Sequence, residues 1–399
     1  MRILMDSNRH TRKFVSANIE QHMQRVKLQL SLLTVALFLT GTIAIGQVYS
    51  NKEVGKKNQA LADSIKKTEY PYALPIWGKR AAQLGFNLPY SAGLSVNYLW
   101  QRSKLTIENL QIGFNNGPMT NLDEVIRFDN AVSEASGLNF RPDIWVFPFL
   151  NVYGILAKSS PSTTVDYSIY VPDESGSWNK VVSLNSQASF QATTAGFGLT
   201  PTIGVGGGWF ALDMNMTWSD IPELAEPAFA FVFGPRLGKS FKFRQPDRTL
   251  ALWAGGFRLK LNTGTSGSLY FKDVFPVEGL QARVDAGIQN VNDIDTQVES
   301  WWSGLSAAEQ LNPVNKAKYE TANRAIDAAS AFLGNMDAAL NDDQYATVQY
   351  SLDKRPQDMW NFVLGTQYQH NKHWMVRFEY GFMGSRTQVI AGLQYRFGL

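Results

Sequence analysis

Cysteine is absent from the 399 residues, which removes disulfides, thiolate metal sites, a cysteine nucleophile and a lipid anchor on a mature N-terminal cysteine. Histidine is scarce: His10 and His22 stand near one end, His370 and His373 near the other. General acid-base chemistry near neutral pH leans on that side chain, so the long stretch between His22 and His370 is poorly equipped for it. Nucleophile elbows, phosphate loops and EF-hand loops are missing as well. His370-x-x-His373 has metal-pair spacing for a helix but falls on a turn between strands, and Asp293-x-Asp295 and Asp342-Asp343 read as solvated carboxylates. No enzyme, no cofactor and no metal site is expected. Long apolar runs are the last scarcity. A helical membrane protein needs several of about 20 residues, and only Leu28 to Ile45 comes near that length.

That run follows Arg25 and Lys27 and ends in Ala44-Ile45-Gly46, the basic, apolar, small-residue order of a secretory signal peptide. Cleavage is expected after Gly46, with Met23 a natural start and the residues before it an N-terminal extension. Ser31, Thr34, Thr40 and Thr42 inside the run argue against an uncleaved anchor. The formal charge of +3 belongs to this leader. Residues 1–46 hold six of the 37 basic residues and two of the 34 acidic ones, leaving 31 basic against 32 acidic. With neither a basic domain nor a basic stripe, nucleic acid is excluded as a partner.

What the chain has in plenty is aromatic residues, 13% of the total, together with 32 glycines and a persistent period of two. Thr387 to Leu399 sets Val389, Ala391, Leu393, Tyr395, Phe397 and Leu399 against Gln388, Gly392, Gln394, Arg396 and Gly398. Trp374 to Gly384 sets Trp374, Val376, Phe378, Tyr380 and Phe382 against Met375, Arg377, Glu379 and Gly381. Trp360, Phe362, Leu364 and Tyr368 oppose Asn361, Gly365 and Gln367. Upstream, Trp253, Phe257, Leu259 and Leu261 oppose Ala254, Gly256, Arg258 and Lys260, while Phe229, Phe231, Phe233 and Leu237 oppose Ala230, Gly234, Arg236 and Gly238. Strands between two environments alternate in this way. A soluble sandwich would alternate too. Two details favour a membrane barrel: aromatics cluster toward segment ends, as at lipid boundaries, and the opposite faces mix glycine and alanine with isolated charges, as a narrow lumen requires.

The terminal Tyr395-Arg396-Phe397-Gly398-Leu399 resembles the C-terminal strand signature of bacterial outer-membrane proteins. With Phe149-Leu150-Asn151-Val152-Tyr153-Gly154, the pattern over residues 90–399 is similar to the porin-like barrels of Gram-negative bacteria. The resemblance implies a closed, antiparallel, up-and-down transmembrane β-barrel in the outer membrane. It also implies outer-membrane lipid and the barrel-assembly machinery as partners, with Tyr395, Phe397 and Leu399 forming the signal that the machinery reads. It carries over no catalytic or binding residue.

Eleven segments alternate, Ala92 to Trp100 and Leu105 to Phe114 counted separately. Both ends of such a barrel face the periplasm, which requires an even number. A further strand is therefore expected at Val125 to Val132, giving about twelve strands, with ten as the alternative. Residues 47–90 are expected to form a periplasmic N-terminal segment or plug and residues 91–399 the barrel. Within the barrel, residues 270–345 change period. Val284, Ile288, Val291, Ile294, Val298 and Trp301 recur at three and four, as do Tyr319, Ala322, Ile326, Ala329, Leu333 and Met336, which predicts two antiparallel helices joined near Asn312. Ser306 with Glu309 fits a capping box and Pro313 a first helical residue. So long an external loop is a functional element, read either as a hairpin packed on itself or as a gate over the lumen.

The inward faces assign nine charges to the lumen: Arg141, Asp143, Asp213, Arg236, Arg258, Lys260, Arg377, Glu379 and Arg396. Either they line a narrow pore or they pair and fill it. The favoured function is a porin-like channel or transporter for small solutes, with a mild anion preference. The alternative is a non-conducting structural or surface-binding barrel that acts through its helical loop. A lipid hydrolase stands third, for want of a suitably placed histidine.

Overall fold

Where the period of two persists, the chain is strand, and one change of period accounts for nearly all of the helix. A computed structural model describes residues 59–399 apart from 68, 206, 223–226, 246, 262–263 and 342–345. The leader peptide and the Asp342-Asp343 pair lie outside the described residues. The strands are β1 (Ala92–Phe114), β2 (Thr120–Asn121), β3 (Ile126–Phe147), β4 (Leu150–Pro172), β5 (Trp178–Ser189), β6 (Ala192–Val205), β7 (Gly208–Asp220), β8 (Ala228–Lys242), β9 (Thr249–Leu261), β10 (Gly264–Tyr270), β11 (Thr347–Pro356), β12 (Trp360–Gln369), β13 (Trp374–Phe382) and β14 (Arg386–Phe397). The helices are α1 (Gln59–Lys67), α2 (Gly78–Gln83), α3 (Phe271–Val274), α4 (Leu280–Gly304), α5 (Ala307–Gln310) and α6 (Pro313–Asn341).

Ten of the strands close an antiparallel barrel in the order β1-β14-β13-β12-β9-β8-β7-β6-β4-β3. The ring shuts where β3 pairs with β1, from Ala92 opposite Ile144 to Lys104 opposite Val132. The expectation of about twelve strands thus resolves to its alternative of ten. Ala92 to Trp100 and Leu105 to Phe114 are one strand, β1, and Val125 to Val132 runs into Arg141 to Phe147 as β3. The polar stretch Gln101 to Lys104 looks like a turn, but it contains neither glycine nor proline. It keeps the alternation, with Gln101 and Ser103 buried and Arg102 and Lys104 exposed.

On the barrel exterior Val96, Tyr98, Phe140, Leu156, Phe197, Leu252, Phe362, Leu364, Phe378 and Leu393 are each 40–54% exposed. On the interior face of β7, by contrast, Ala211, Asp213, Asn215, Thr217 and Ser219 are all at 0–1%. This inverts the distribution of a soluble protein. A continuous apolar belt around polar contents is stable with hydrocarbon on the outside, and the barrel is of the transmembrane type. Among the described residues no helix is long and apolar enough to cross a membrane; the crossing is made by strands.

β1, β3 and β4 have 22 or 23 residues each, roughly 75 Å at about 3.3 Å per residue, and so overshoot the belt at the end remote from Leu399. There they diverge into two sheets. The far half of β1 pairs with β11, which pairs with β10, and the far halves of β3 and β4 stay paired and add β5. α4 and α6 pack against both sheets around a second hydrophobic core that includes Leu110, Ile112, Ile169, Val182, Val284, Phe332, Leu333 and Met336. Their apolar stripes are those the sequence marks, and the Ser306–Glu309 capping box forms at α5. The helical insertion therefore roofs a distal domain and does not enter the bore.

At the opposite end the segment before β1 is an ordered strap. Leu74 N–H donates to the Leu399 carbonyl (3.1 Å) and Ile76 N–H to that of Val146 (2.8 Å). The ring of Trp77 lies 5.0 Å from that of Phe147.

Candidate functional site

The bore is filled from both sides of the alternation rule. β9 runs in the opposite sense to the sequence reading: Trp253, Phe257 and Leu259 point inward and are buried, while Arg258 and Lys260 are exposed on the exterior, so neither is a lumen residue. The cause is room. Glycines on neighbouring strands leave space for rings: a Cβ on Gly365 or on Gly238 would collide with the indole of Trp253 or Trp209 respectively, and one on Gly198 with the phenol of Tyr153. Inward aromatics thus occupy the volume that the glycines vacate. Arg258 sits opposite Phe233 and Trp360, and Lys260 opposite Phe231, close to the distal rim where long basic side chains reach the polar boundary of a bilayer.

The other seven predicted charges do meet inside the bore, each 0–6% exposed. Arg236 bridges two strands' worth of acid, with its Nη1 2.7 Å from Asp213 and its Nε 3.2 Å from Glu379. Glu379 also accepts from Arg377 (3.1 Å) and from Trp253 Nε1 (3.0 Å). Asp213 accepts from the Tyr153 and Thr200 hydroxyls, both at 2.8 Å. Arg141 lies 3.5 Å above the Tyr153 ring and Arg377 4.3 Å above that of Trp253. Nearer the terminal end, Asp143 collects Arg396 (3.3 Å), Asn151 (2.8 Å) and Gln394 (2.7 Å), and Arg396 also donates to the Tyr90 carbonyl of the strap. Charges buried this deeply are stable only when paired and hydrogen-bonded. Of the two readings of the lumen, the structure has the filled one, with six of the seven charges in ion pairs and Arg141 stacked on the Tyr153 ring.

Above this network comes an apolar layer of Leu99, Phe257, Leu259, Val363 and Ile390. It also holds Arg386, which is 1% exposed, with its guanidinium 5.3 Å from the Phe257 ring. Arg386 is the first residue of β14, opposite Ser103, and shares the inward side of the alternation with Gln388 and Arg396.

Higher still, between the two distal sheets and under α3, lies a cavity of about 120 Å³. Its walls are mainly Ile107, Leu110, Ile126, Val165, Leu269, Phe275 and Leu352, with Phe190 shared with the layer below. Thr163, Tyr167, Ser186, Tyr350 and Lys354 break this apolar lining, and two of them carry the polarity furthest. Lys354 is 3% exposed and its Nζ donates to Thr163 Oγ1 at 3.2 Å; burial pulls its ammonium from an ordinary 10.5 down to about 7. Tyr167 is 4% exposed, and burial pushes its hydroxyl well above the usual range. The sequence reading missed both, because each lies on a strand extension that alternation alone does not separate from the membrane-spanning part. The predicted terminal signal residues Tyr395 and Phe397 lie on the exterior of β14, and Tyr395 stacks on His373 (5.4 Å). Leu399 follows just beyond the strand, its N–H donating to Ser91 Oγ (2.9 Å). His370 and His373 lie on the β12–β13 turn, His373 Nδ1 2.8 Å from the Arg396 carbonyl.

No family model and no curated protein matches the chain. Among solved structures, it is similar to the transport unit of the autotransporter AIDA-I from Escherichia coli, with 8% identity, 88% of this chain and 100% of that one covered, and a TM-score of 0.30. It is similar to the translocator domain of the autotransporter NalP from Neisseria meningitidis, with 11% identity, coverage of 86% and 94%, and a TM-score of 0.28. It is similar also to the toluene transporter TbuX from Ralstonia pickettii, with 9% identity, coverage of 89% and 97%, and a TM-score of 0.26.

Proposed function

We propose that this protein is a gated transport barrel of the bacterial outer membrane, in which a small solute is received by the distal domain and the bore beneath is closed at rest. The observation that carries the reading is the buried network of Arg236, Asp213, Glu379 and Arg377, which with Trp253, Trp209 and Tyr153 spans the interior at 0–6% exposure. An open diffusion pore would leave such groups wet. The outer-membrane address follows from the apolar exterior, the terminal strand and the leader-like N-terminus together, since helical spans serve other membranes and closed barrels this one. In that orientation the strap and Leu399 face the periplasm and the helical roof faces outward. Tyr395, Phe397 and Leu399 then present the assembly signal, and lipid contacts the belt.

Single-channel recording of the purified full chain in planar bilayers tests the reading. The wild type is expected to stay closed, and Arg236→Ala with Trp253→Ala is expected to give unitary steps. Porin-like steps from the wild type would sink it.

A second reading, a surface-binding barrel that transports nothing, draws on the hairpin tip, where Leu311 and Val314 are 81% and 63% exposed. Deleting that tip would abolish binding to cells or surfaces under this reading and leave solute uptake unchanged under the first.

A further inference from the structure

We infer that the distal cavity binds a compact monoanion with an apolar body, Lys354 supplying the counter-charge and the Tyr167 hydroxyl a second donor. The inference rests on the reading above in one respect, that the cavity lies on the path of the solute. Size sets the body. A cavity of about 150 Å³ lined by leucine, isoleucine and phenylalanine accommodates benzene, and the 120 Å³ here, with walls of Ile107, Leu110, Val165, Leu269 and Leu352, suits one ring or a short branched chain.

The head group follows from the polar atoms. Lys354 and Tyr167 are both more than nine-tenths buried, and the Tyr167 hydroxyl has no hydrogen-bond partner among the described residues. A donor left so costs free energy that an incoming acceptor returns. Lys354 and Tyr167, with Tyr350, are the titratable groups of the lining. Among the described residues no carboxylate lines it, and the charge that acts on Tyr167 from the roof is Arg283 of α4. The cavity is thus equipped with positive charge and donors and would repel a cation. A buried ammonium that donates to a neutral hydroxyl, as Lys354 does to Thr163, gains more from a carboxylate than from a neutral dipole of the same shape.

The cavity also has a more open neighbour. A wider cleft of about 640 Å³, lined by Ala188, Ser189, Ser268, Leu269, Tyr270, Asp273 and Thr347, shares Ala188 and Leu269 with the cavity. It lies where β5 and β10 leave their sheet edges unpaired with one another.

The test uses the full chain in lipid nanodiscs at pH 8, with empty nanodiscs subtracted, and titrates sodium benzoate against benzyl alcohol, a neutral molecule with the same ring, by calorimetry in two buffers of different ionisation heat. Benzoate is expected to bind saturably and at least tenfold tighter than benzyl alcohol, with uptake of a fraction of a proton as Lys354 recharges. Lys354→Met should erase the preference and the proton uptake, Lys354→Arg should keep the preference without the uptake, and Tyr167→Phe should weaken benzoate several-fold. Heat-shifted gel mobility identical to wild type establishes that each variant is folded. Equal affinities for the two probes, or a benzoate preference that survives Lys354→Met, would overturn the inference. An open pore in bilayer recording would instead strike at the gating reading and leave these affinities where they are.

Discussion

Arg236 and Glu379 are separated by 143 positions in the chain and by 3.2 Å in the bore. The pair ties β8 to β13 across the barrel, with β9 and β12 between them in the ring. Removing one member strands the other in a low-dielectric interior, which costs about 3–5 kcal/mol. Arg236→Ala is therefore expected to lower the unfolding temperature in detergent markedly, while replacing Arg236, Arg377, Glu379 and Asp213 together by leucine or asparagine, which leaves none of the four charges stranded, recovers much of the loss. Thermal melts of the single and quadruple variants decide it; equal losses would show that the network is not a unit.

Gly365 faces the indole of Trp253 so closely that a methyl group has nowhere to go. Gly365→Ala is expected to cost about 1–3 kcal/mol through overpacking, and Trp253→Phe in the same chain to restore part of it. The readout is the fraction of chains that fold into a heat-resistant band on a gel. A wild-type yield for Gly365→Ala alone would show that the ring has slack.

Lys354 gives a pH dependence with a definite sign. Its folded value of about 7 lies below the ordinary 10.5, so between those limits the unfolded chain binds more protons than the folded one and stability rises with pH. The penalty is full below pH 7 and fades toward pH 10.5. Lys354→Met should remove it, stabilising the distal domain by about 2–4 kcal/mol at pH 7 and flattening this part of the pH profile. A profile unchanged by the substitution would refute the assignment.

The distal domain has its own core, so Phe332→Ala, at 0% exposure on α6, should loosen it by about 3–4 kcal/mol while the barrel stays closed. Limited proteolysis would then cut within residues 271–341 and leave the membrane-spanning strands intact.

Arg258 and Lys260 point away from the bore. Exchanging both for glutamate in a chain opened by Arg236→Ala and Trp253→Ala is expected to leave its ion selectivity unchanged, whereas Arg141→Glu should shift it toward cations. Reversal potentials in a salt gradient measure both.

Much of this was legible from period and position. The exterior faces of β7, β8, β12, β13 and β14 are those that alternation marks, because on these strands one side is uniformly apolar. β9 was read inside out since it is apolar on both sides: Leu252 and Ala254 serve the exterior while Trp253 and Phe257 fill the bore, and only the glycines of other strands reveal which set goes where. The strand count ran high for a related reason. β1 and β3 leave the membrane without a turn, and polar residues at that crossing look like a loop. The cavity of Lys354 and Tyr167 could not be seen at all, since it is made by β1, β4, β5, β10 and β11 converging over separations of up to 247 positions in the chain.

The fit of Trp253 against Gly365, Trp209 against Gly238 and Tyr153 against Gly198 has one more outcome, for how the sheet is assembled. In each pair a ring on one strand occupies the place of a missing methyl on the next. Sliding any of these strands by one residue would swap which side chains face inward; sliding by two would bring a Cβ into the place of either indole, and at Tyr153 would do so toward Thr200, Gly196 being met in the other direction. The two indole pairs therefore work as mechanical stops in both directions and the phenol pair in one, and a cylinder that slipped past them would have to expel a ring from its interior.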